Sequence, residues 1–160
     1  MNEFYNCNGF VTGTFDPPTV GHLEIIERAS EMFEKVFVVA LINPDKTVKF
    51  TTQDRLRMLK AMTSKFKNVE CDSYDGYAVD YVAKRGGGML VRGIRNESDE
   101  AYENEMAAYN SAHGVETVFL HANADYKNVS STEAKIKLKN GNYELLPDEV
   151  ANIVKQILSE

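Results

Sequence analysis

A chain of 160 residues can bury the core of one compact domain but leaves little room for two, so we expect a single domain over residues 1–160. Its 43% hydrophobic and 26% charged residues lie in the globular range, and no Pro-, Ser- or Gln-rich tract indicates a linker. A formal net charge of −6 argues against a protein that coats nucleic acid, because phosphate backbones are held by dense surface lysine and arginine.

Short apolar runs alternate with amphipathic stretches along the chain, which is the pattern of repeated βα units around a parallel sheet. Five of these runs predict strands, at residues 9–13, 36–42, 69–72, 89–91 and 117–121. After the first strand, one set of apolar residues recurs at helical spacing and predicts a buried helix face: Leu23, Ile26, Ala29, Met32 and Phe33.

The other helices are predicted from their ends and their periodicity. The signals are the capping pair Thr51 and Asp54, the stretches 77–84 and 99–113, the capping pair Ser130 and Glu133, and Pro147 at a helix start. The expected fold is therefore α/β: a Rossmann-like, doubly wound, five-stranded parallel sheet with helices on both faces and C-terminal helices.

The loop after the first predicted strand, GTFDPPTVGH at residues 13–22, is stiff and ends on a histidine. Gly13 allows a close approach of the backbone to a ligand, while Pro17 and Pro18 restrict the chain. His22 falls at a helix start, where unpaired amide groups and the helix dipole favour an anion. Taken alone, His22 is better explained as an ordinary residue of a helix N-terminus.

Three further segments follow predicted strands: NPDKTVKFT at residues 43–51, LVRGIR at 90–95 and VSST at 129–132. Each has an ordinary interpretation, with Lys46 as a solvated lysine, Arg92 and Arg95 as surface ion-pair partners, and Ser130 as a helix cap. However, ligands of open α/β sheets bind at the carboxyl ends of the strands. Four such segments at one edge therefore favour a shared phosphate site.

The sequence resembles a known group of enzymes in these same segments. GTFDP followed by GH, together with VSST, is similar to the signature of nucleotidyltransferases that transfer AMP or CMP. RGIR followed by Tyr102-Glu103 and Met106-Ala107 resembles the phosphopantetheine adenylyltransferase family, from about Gly13 to the final helix. The resemblance implies that AMP passes reversibly from ATP to 4′-phosphopantetheine, giving dephospho-coenzyme A and pyrophosphate. It also implies a homohexamer and coenzyme A as a feedback ligand.

Site residues are implied by the same resemblance. His22 and Lys46 would be catalytic, with His22 at the α-phosphate of ATP. The residues expected to bind ATP are Thr14, Phe15, His22, Gly93, Ile94, Arg95, Glu103, Tyr126, Lys127, Asn128, Val129, Ser130, Ser131 and Thr132. The residues expected to bind phosphopantetheine are Thr14, Lys46, Ala78 and Arg92.

Several positions depart from the family pattern, namely Pro18, Val20, Ala78, Lys127, Asn128 and Thr132. Two alternatives accordingly stay open. One is nicotinate mononucleotide adenylyltransferase, which GTFDPP and VSST also suit, and the other is a nucleotide-binding relative without catalysis.

The expected reaction is an in-line displacement that needs no protein nucleophile, because a phosphate oxygen is already ionised at neutral pH. Magnesium is expected to be coordinated mainly by the ATP phosphates, so no protein ligand is predicted.

Nothing in the sequence predicts a disulfide, a targeting segment or a membrane span. Cys7 and Cys71 lack the spacing of a disulfide framework or a metal site, and His113 and His121 are expected to be structural or solvated. Residues 1–4 lack a signal-peptide pattern, and no apolar run approaches the length of a membrane span. We therefore expect a cytoplasmic protein that binds neither membrane nor nucleic acid.

Overall fold

The five predicted strands form a single parallel sheet. They are β1 Tyr5–Gly13, β2 Phe33–Ile42, β3 Val69–Asp75, β4 Met89–Ile94 and β5 Thr117–His121. Their order across the sheet is β3-β2-β1-β4-β5, so the chain builds outward from β1 first on one side and then on the other. This arrangement confirms the predicted doubly wound fold.

The computed structural model describes residues 4–160, apart from the side chains of Glu97 and Ser98. The expectation about a targeting segment at Met1 to Glu3 lies outside the described residues. In residues 4–160 the α-helices are α1 Val20–Met32, α2 Thr52–Thr63, α3 Ala78–Lys84, α4 Glu97–Ala112, α5 Ser131–Lys139 and α6 Asp148–Leu158. A single 3-10 turn at Ala124–Tyr126 was not predicted.

Both faces of the sheet are covered, as predicted. Along β2, Val36 and Val38 belong to one buried cluster while Phe37 and Val39 belong to another, because successive side chains of a strand point to opposite faces. Helices α1, α2, α5 and α6 contribute to the first cluster and α3 to the second. Helix α4 lies along β4 and β5.

The prediction for the first helix was wrong at its end. Phe33 begins β2, where its ring stacks on Tyr5 with 5.0 Å between the ring centroids, and does not belong to the helix. The buried face of α1 consists of Ile25, Ile26 and Ala29. The helical spacing extended to Phe33 only because an apolar strand follows the helix with no loop between them.

The predicted caps are confirmed. The Thr51 hydroxyl accepts from the Asp54 amide at 3.1 Å, and the Ser130 hydroxyl accepts from the Glu133 amide at 3.0 Å. Among the helices of the described part of the chain, none has both the length and the apolar character to cross a membrane.

Candidate functional site

The β1–α1 loop, residues 14–19, leaves the carboxyl end of the first strand of the chain, which lies in the middle of the sheet. Phe15 has a φ of 54°, the left-handed region that a non-glycine residue seldom adopts, and its side chain is buried. The ring packs edge-on against the His22 imidazole, with 4.9 Å between centroids. The loop therefore has a fixed and unusual backbone shape beside the histidine.

His22 is part of the cap of its own helix. Its Nδ1 accepts from the Thr19 amide at 2.9 Å, while its own amide donates to the Thr19 hydroxyl at 3.4 Å. A backbone N–H can only donate, so Nδ1 carries no proton and the neutral ring holds its proton on Nε2. Burial, together with Arg92 and Arg95, lowers the pKa of His22 to about 4. At pH 7 this side chain is a neutral donor.

Lys46 reaches the same loop from the segment after β2. Its Nζ donates to the Thr14 hydroxyl at 3.1 Å, although the two residues lie 32 positions apart in sequence. An ammonium group and a hydroxyl group thus meet at the carboxyl ends of β1 and β2. Both groups are donors to a phosphate oxygen.

Arg92 is held by Glu103 and by the end of β1. Its Nε and Nη2 donate to the two oxygens of the Glu103 carboxylate at 2.9 and 2.8 Å, and its Nη1 donates to the Thr12 carbonyl. The Arg92 side chain is 31% exposed, whereas the Glu103 side chain is 8% exposed. Glu103 therefore fixes the guanidinium from behind, with both of its oxygens already occupied.

Arg95 joins three elements at the end of β4. Its Nε pairs with Asp99 at 3.0 Å, and its Nη1 donates to the Val129 carbonyl at 3.3 Å. A cavity of about 300 Å³ opens beside it, lined by Ile94, Arg95, Asn96, Glu100, His121, Ala122 and Lys127. Thr14, His22 and Lys46 are not among its lining residues. Arg95 lines this cavity, and its charge also helps to lower the pKa of His22 beside the β1–α1 loop.

The residues at the start of α5 do not all face the candidate site. The Ser131 hydroxyl donates to the Pro17 carbonyl at 2.8 Å and so ties α5 to the β1–α1 loop. Ser130 caps α5, which leaves its hydroxyl proton available to a ligand. Thr132 instead lines a second groove of about 370 Å³ with Thr47, Val48, Lys49, Lys135, Ile136 and Lys139.

The comparisons with known proteins decide the family. Residues 10–137 match the family described as Cytidylyltransferase-like. A protein of Clostridium novyi (strain NT) named phosphopantetheine adenylyltransferase is 38% identical over 152 residues, which cover 92% of each chain. The chain belongs to the phosphopantetheine adenylyltransferases of the cytidylyltransferase-like family.

Further relatives carry the same name. The Clostridium botulinum (strain Hall) protein is 37% identical over 148 residues, covering 90% of each chain. The Alkaliphilus metalliredigens (strain QYMF) protein is 36% identical over 156 residues, covering 95% of this chain and 97% of the relative. The family resemblance expected from GTFDPPTVGH, RGIR and VSST is therefore confirmed, and the chain is a nucleotidyltransferase.

The site residues that the family resemblance implied do not all lie together. Thr14 and Lys46 are in direct contact, and Arg92 and Arg95 both act on His22. Ala78 lies at the start of α3, half-buried against the second core cluster. The cavity beside Arg95 includes Asn96, Glu100 and Ala122, which sequence reasoning did not select, and His121, which it expected to be structural or solvated.

Two further residues stabilise the β1–α1 loop and were not selected from the sequence. Asp16 is 3% exposed and accepts from the amides of Lys49 and Phe50, both at 2.8 Å. Arg55 is 2% exposed and reaches the Thr14 carbonyl. A signal for Arg55 existed, because it shares a helix face with Met58, Leu59 and Met62 at spacings of three, four and seven. A charged residue on an apolar helix face is an exception that requires polar partners.

The carboxylates of the site are engaged by protein donors and do not form a metal centre. Asp16, Glu24, Asp99 and Glu103 each accept from an arginine, a lysine or a backbone amide. In residues 4–160, no group of three or more His, Cys, Asp or Glu side chains could hold a metal ion.

The low pKa of His22 makes folding stability dependent on pH. Its pKa is about 4 in the folded chain, against an ordinary value of 6.5. Between these values the unfolded chain binds the proton and the folded chain does not, so stability is lost as the pH falls from 6.5 towards 4. We expect a loss of about 2 kcal/mol from this group between pH 7 and pH 5. Urea unfolding at pH 7, 6 and 5 measures it, with His22→Gln as the reference. Equal pH slopes for the two proteins would contradict the prediction.

Proposed function

We propose that the chain transfers the AMP group of ATP to 4′-phosphopantetheine and releases pyrophosphate, with dephospho-coenzyme A as the product. Relatives of that name at 36–38% identity over most of the chain support the assignment. The observation that carries the chemistry is the Lys46 ammonium beside the Thr14 hydroxyl, 3.1 Å apart, on the loop that leads to His22. Lys46, Thr14 and His22 together would offer a phosphate three kinds of donor: an ammonium, a hydroxyl and an imidazole N–H.

In this reaction a phosphate oxygen of the acceptor attacks the α-phosphorus of ATP. The bond from that phosphorus to the oxygen bridging the α- and β-phosphates breaks, and pyrophosphate leaves with the electron pair. The chain contributes position and charge: it must hold two anions in line and stabilise the charge that grows on the α-phosphoryl oxygens. Neither task requires a covalent intermediate or a general base.

His22 serves this reaction as a neutral donor. With Nδ1 taken by the Thr19 amide, the Nε2 proton is free to donate to an α-phosphoryl oxygen. The Thr14 hydroxyl and the Phe15 amide donate to the same phosphates in this proposal. Lys46 neutralises charge as the acceptor phosphate approaches the α-phosphorus.

Arg92 holds the acceptor phosphate with the N–H that Glu103 and Thr12 leave free. A guanidinium carries five N–H donors, and the contacts with Glu103 and Thr12 engage four of them, which leaves one N–H of Nη2. We assign Glu103 the role of orienting Arg92, in place of the ATP contact that the family resemblance implied. Ala78, at the start of α3, remains the proposed contact for the pantetheine arm.

ATP itself extends from the β1–α1 loop towards the cavity of about 300 Å³ beside Arg95. Gly93 to Arg95 and the segment from Tyr126 to Ser131 would enclose its adenine and outer phosphates. Thr132 is left out of this assignment, because it lines the second groove. Magnesium, when bound to ATP, neutralises charge on the β- and γ-phosphates, and the engaged carboxylates suit its coordination by phosphate and water.

The assembly, feedback and location implied by the family resemblance belong to the same proposal. Exposed Tyr102, Met106 and Tyr109 on α4, with Tyr77 beside Tyr109, offer an apolar face for a homohexamer. Light scattering should then give the mass of six chains.

Coenzyme A contains the phosphopantetheine arm and should inhibit in competition with that substrate. We also propose a cytoplasmic location, as expected for an enzyme that uses ATP.

The test is an assay of pyrophosphate release with ATP, magnesium and one of two acceptors. We expect turnover with 4′-phosphopantetheine and little with nicotinate mononucleotide. The reverse preference would overturn the acceptor, and ATP binding without release from either acceptor would favour a nucleotide-binding relative without catalysis.

A further inference from the structure

Arg55 bridges three segments of chain from a buried position at the start of α2. Its Nη1 donates to the Thr14 carbonyl at 2.7 Å, its Nε to the Phe50 carbonyl at 3.1 Å and its Nη2 to the Thr52 hydroxyl at 3.0 Å. We propose that Arg55 is a positioning residue that aims the Phe15 amide at the phosphates by holding the Thr14 carbonyl. The inference rests on the proposed function, in which that amide is a phosphate donor.

The reason lies in the geometry of the peptide unit. The Thr14 carbonyl and the Phe15 N–H belong to one planar trans unit, so they point in opposite directions. Arg55 pulls the carbonyl inward, and the N–H must then face away from the core. In the described part of the chain this N–H has no protein acceptor. A backbone N–H that faces away from the core and has no protein acceptor is suited to bind an anion.

The Phe15 backbone supports the same assignment. Its φ of 54° is disfavoured for a residue with a side chain, and such conformations persist only where surrounding contacts determine them. Arg55 supplies the contact on one side of Phe15, and the His22 ring packs on its side chain. Without Arg55 the peptide can rotate, and the donor would lose its direction.

Charge points the same way. Arg55 makes no ion pair within 4.0 Å among the described residues, although it is almost fully buried. Burial lowers the pKa of Arg55, and the nearby Asp16 carboxylate offsets this only in part. Its positive charge lies directly behind the Thr14–Phe15 peptide, so a phosphate bound in front of that peptide would be attracted to it.

Asp16 completes the arrangement from the other side of Phe50. Asp16 accepts from the Phe50 amide while Arg55 donates to the Phe50 carbonyl, so this one residue is held at both ends. The segment from Lys46 to Phe50 is thereby fixed to the β1–α1 loop. The contact between Lys46 and Thr14 depends on the same anchorage.

The experiment compares Arg55→Met and Arg55→Lys with wild type. We expect Arg55→Met to lower kcat about 10- to 100-fold with a much smaller change in the KM for ATP, because misorientation of a donor is felt most at the transition state. Arg55→Lys, which keeps the charge and donors but not the fork, should recover part of the loss. Arg57→Met is the matched control, since Arg57 is exposed on the same helix and bonds to Gln156.

A second readout does not depend on the acceptor. The ¹H–¹⁵N signal of the Phe15 amide should shift when ATP is added to wild type and to Arg57→Met, and respond much less in the Arg55 variants. If Arg55→Met does not fold, Arg55→Lys gives both readouts. The inference would be overturned if Arg55→Lys and Arg55→Met had wild-type kcat and an intact shift of the Phe15 amide signal. It would also be overturned if ATP did not shift the Phe15 amide signal of the wild type. Loss of the response in a protein that does not use phosphopantetheine would overturn the acceptor and support Arg55.

Discussion

Replacing His22 by alanine should lower kcat about 100- to 1,000-fold, because one preorganised donor to a developing oxyanion contributes roughly 3 to 4 kcal/mol. The KM for ATP should change far less, since the donor is most important when charge has built up on the α-phosphoryl oxygens. Steady-state pyrophosphate release at saturating acceptor measures both constants. Near-wild-type kcat would show that His22 has no catalytic role.

The capping role of His22 calls for a matched variant. Alanine removes both the Nε2 donor and the Nδ1 acceptor that satisfies the Thr19 amide. His22→Gln retains an acceptor at the third helical position, as in an ordinary capping box. We expect the glutamine variant to recover stability but not turnover. Because a glutamine amide N–H can also donate, restored kcat in this variant would show that turnover does not require the imidazole.

Replacing Arg92 by methionine should cost about 3 to 5 kcal/mol of folding stability, because it leaves the Glu103 carboxylate buried without its partner. Glu103 has an 8% exposed side chain and accepts both of its close contacts from Arg92. The same substitution should raise the KM for the acceptor, since it removes the proposed phosphate contact. Urea unfolding and the pyrophosphate assay measure the two effects separately.

The double variant Arg92→Met, Glu103→Gln separates stability from binding. Neutralising Glu103 should restore much of the lost stability while leaving the acceptor KM high. A fully additive loss of stability would mean that the two side chains do not stabilise each other. Recovery of the acceptor KM in the double variant would argue against a phosphate contact by Arg92.

The strands and caps could be predicted from the sequence because they depend on local pattern. Each strand is indicated by a short apolar run. The Thr51 and Ser130 caps each involve a residue only three positions further on. Placement of the four loop segments at one edge followed from the parallel arrangement of the strands. The contact between Lys46 and Thr14 is consistent with that argument.

The partners of the charged side chains could not be predicted in the same way. Glu103 was expected to line the ATP site, yet its pairing with Arg92 depends on how α4 lies along β4. Thr132 follows Ser131 directly but faces a different groove, because adjacent residues of a helix point in different directions. Arg55 was not selected from the sequence, because its contact with Thr14 spans 41 positions and no local pattern indicates that contact.

The tautomer of His22 has a consequence for the direction of the reaction. A ring that neither gains nor loses a proton needs no resetting between turnovers. In the proposed mechanism the Nε2 proton would donate to ATP in the forward reaction and to the adenylated product in the reverse reaction. The same protonation state of His22 would therefore serve both directions of the reaction.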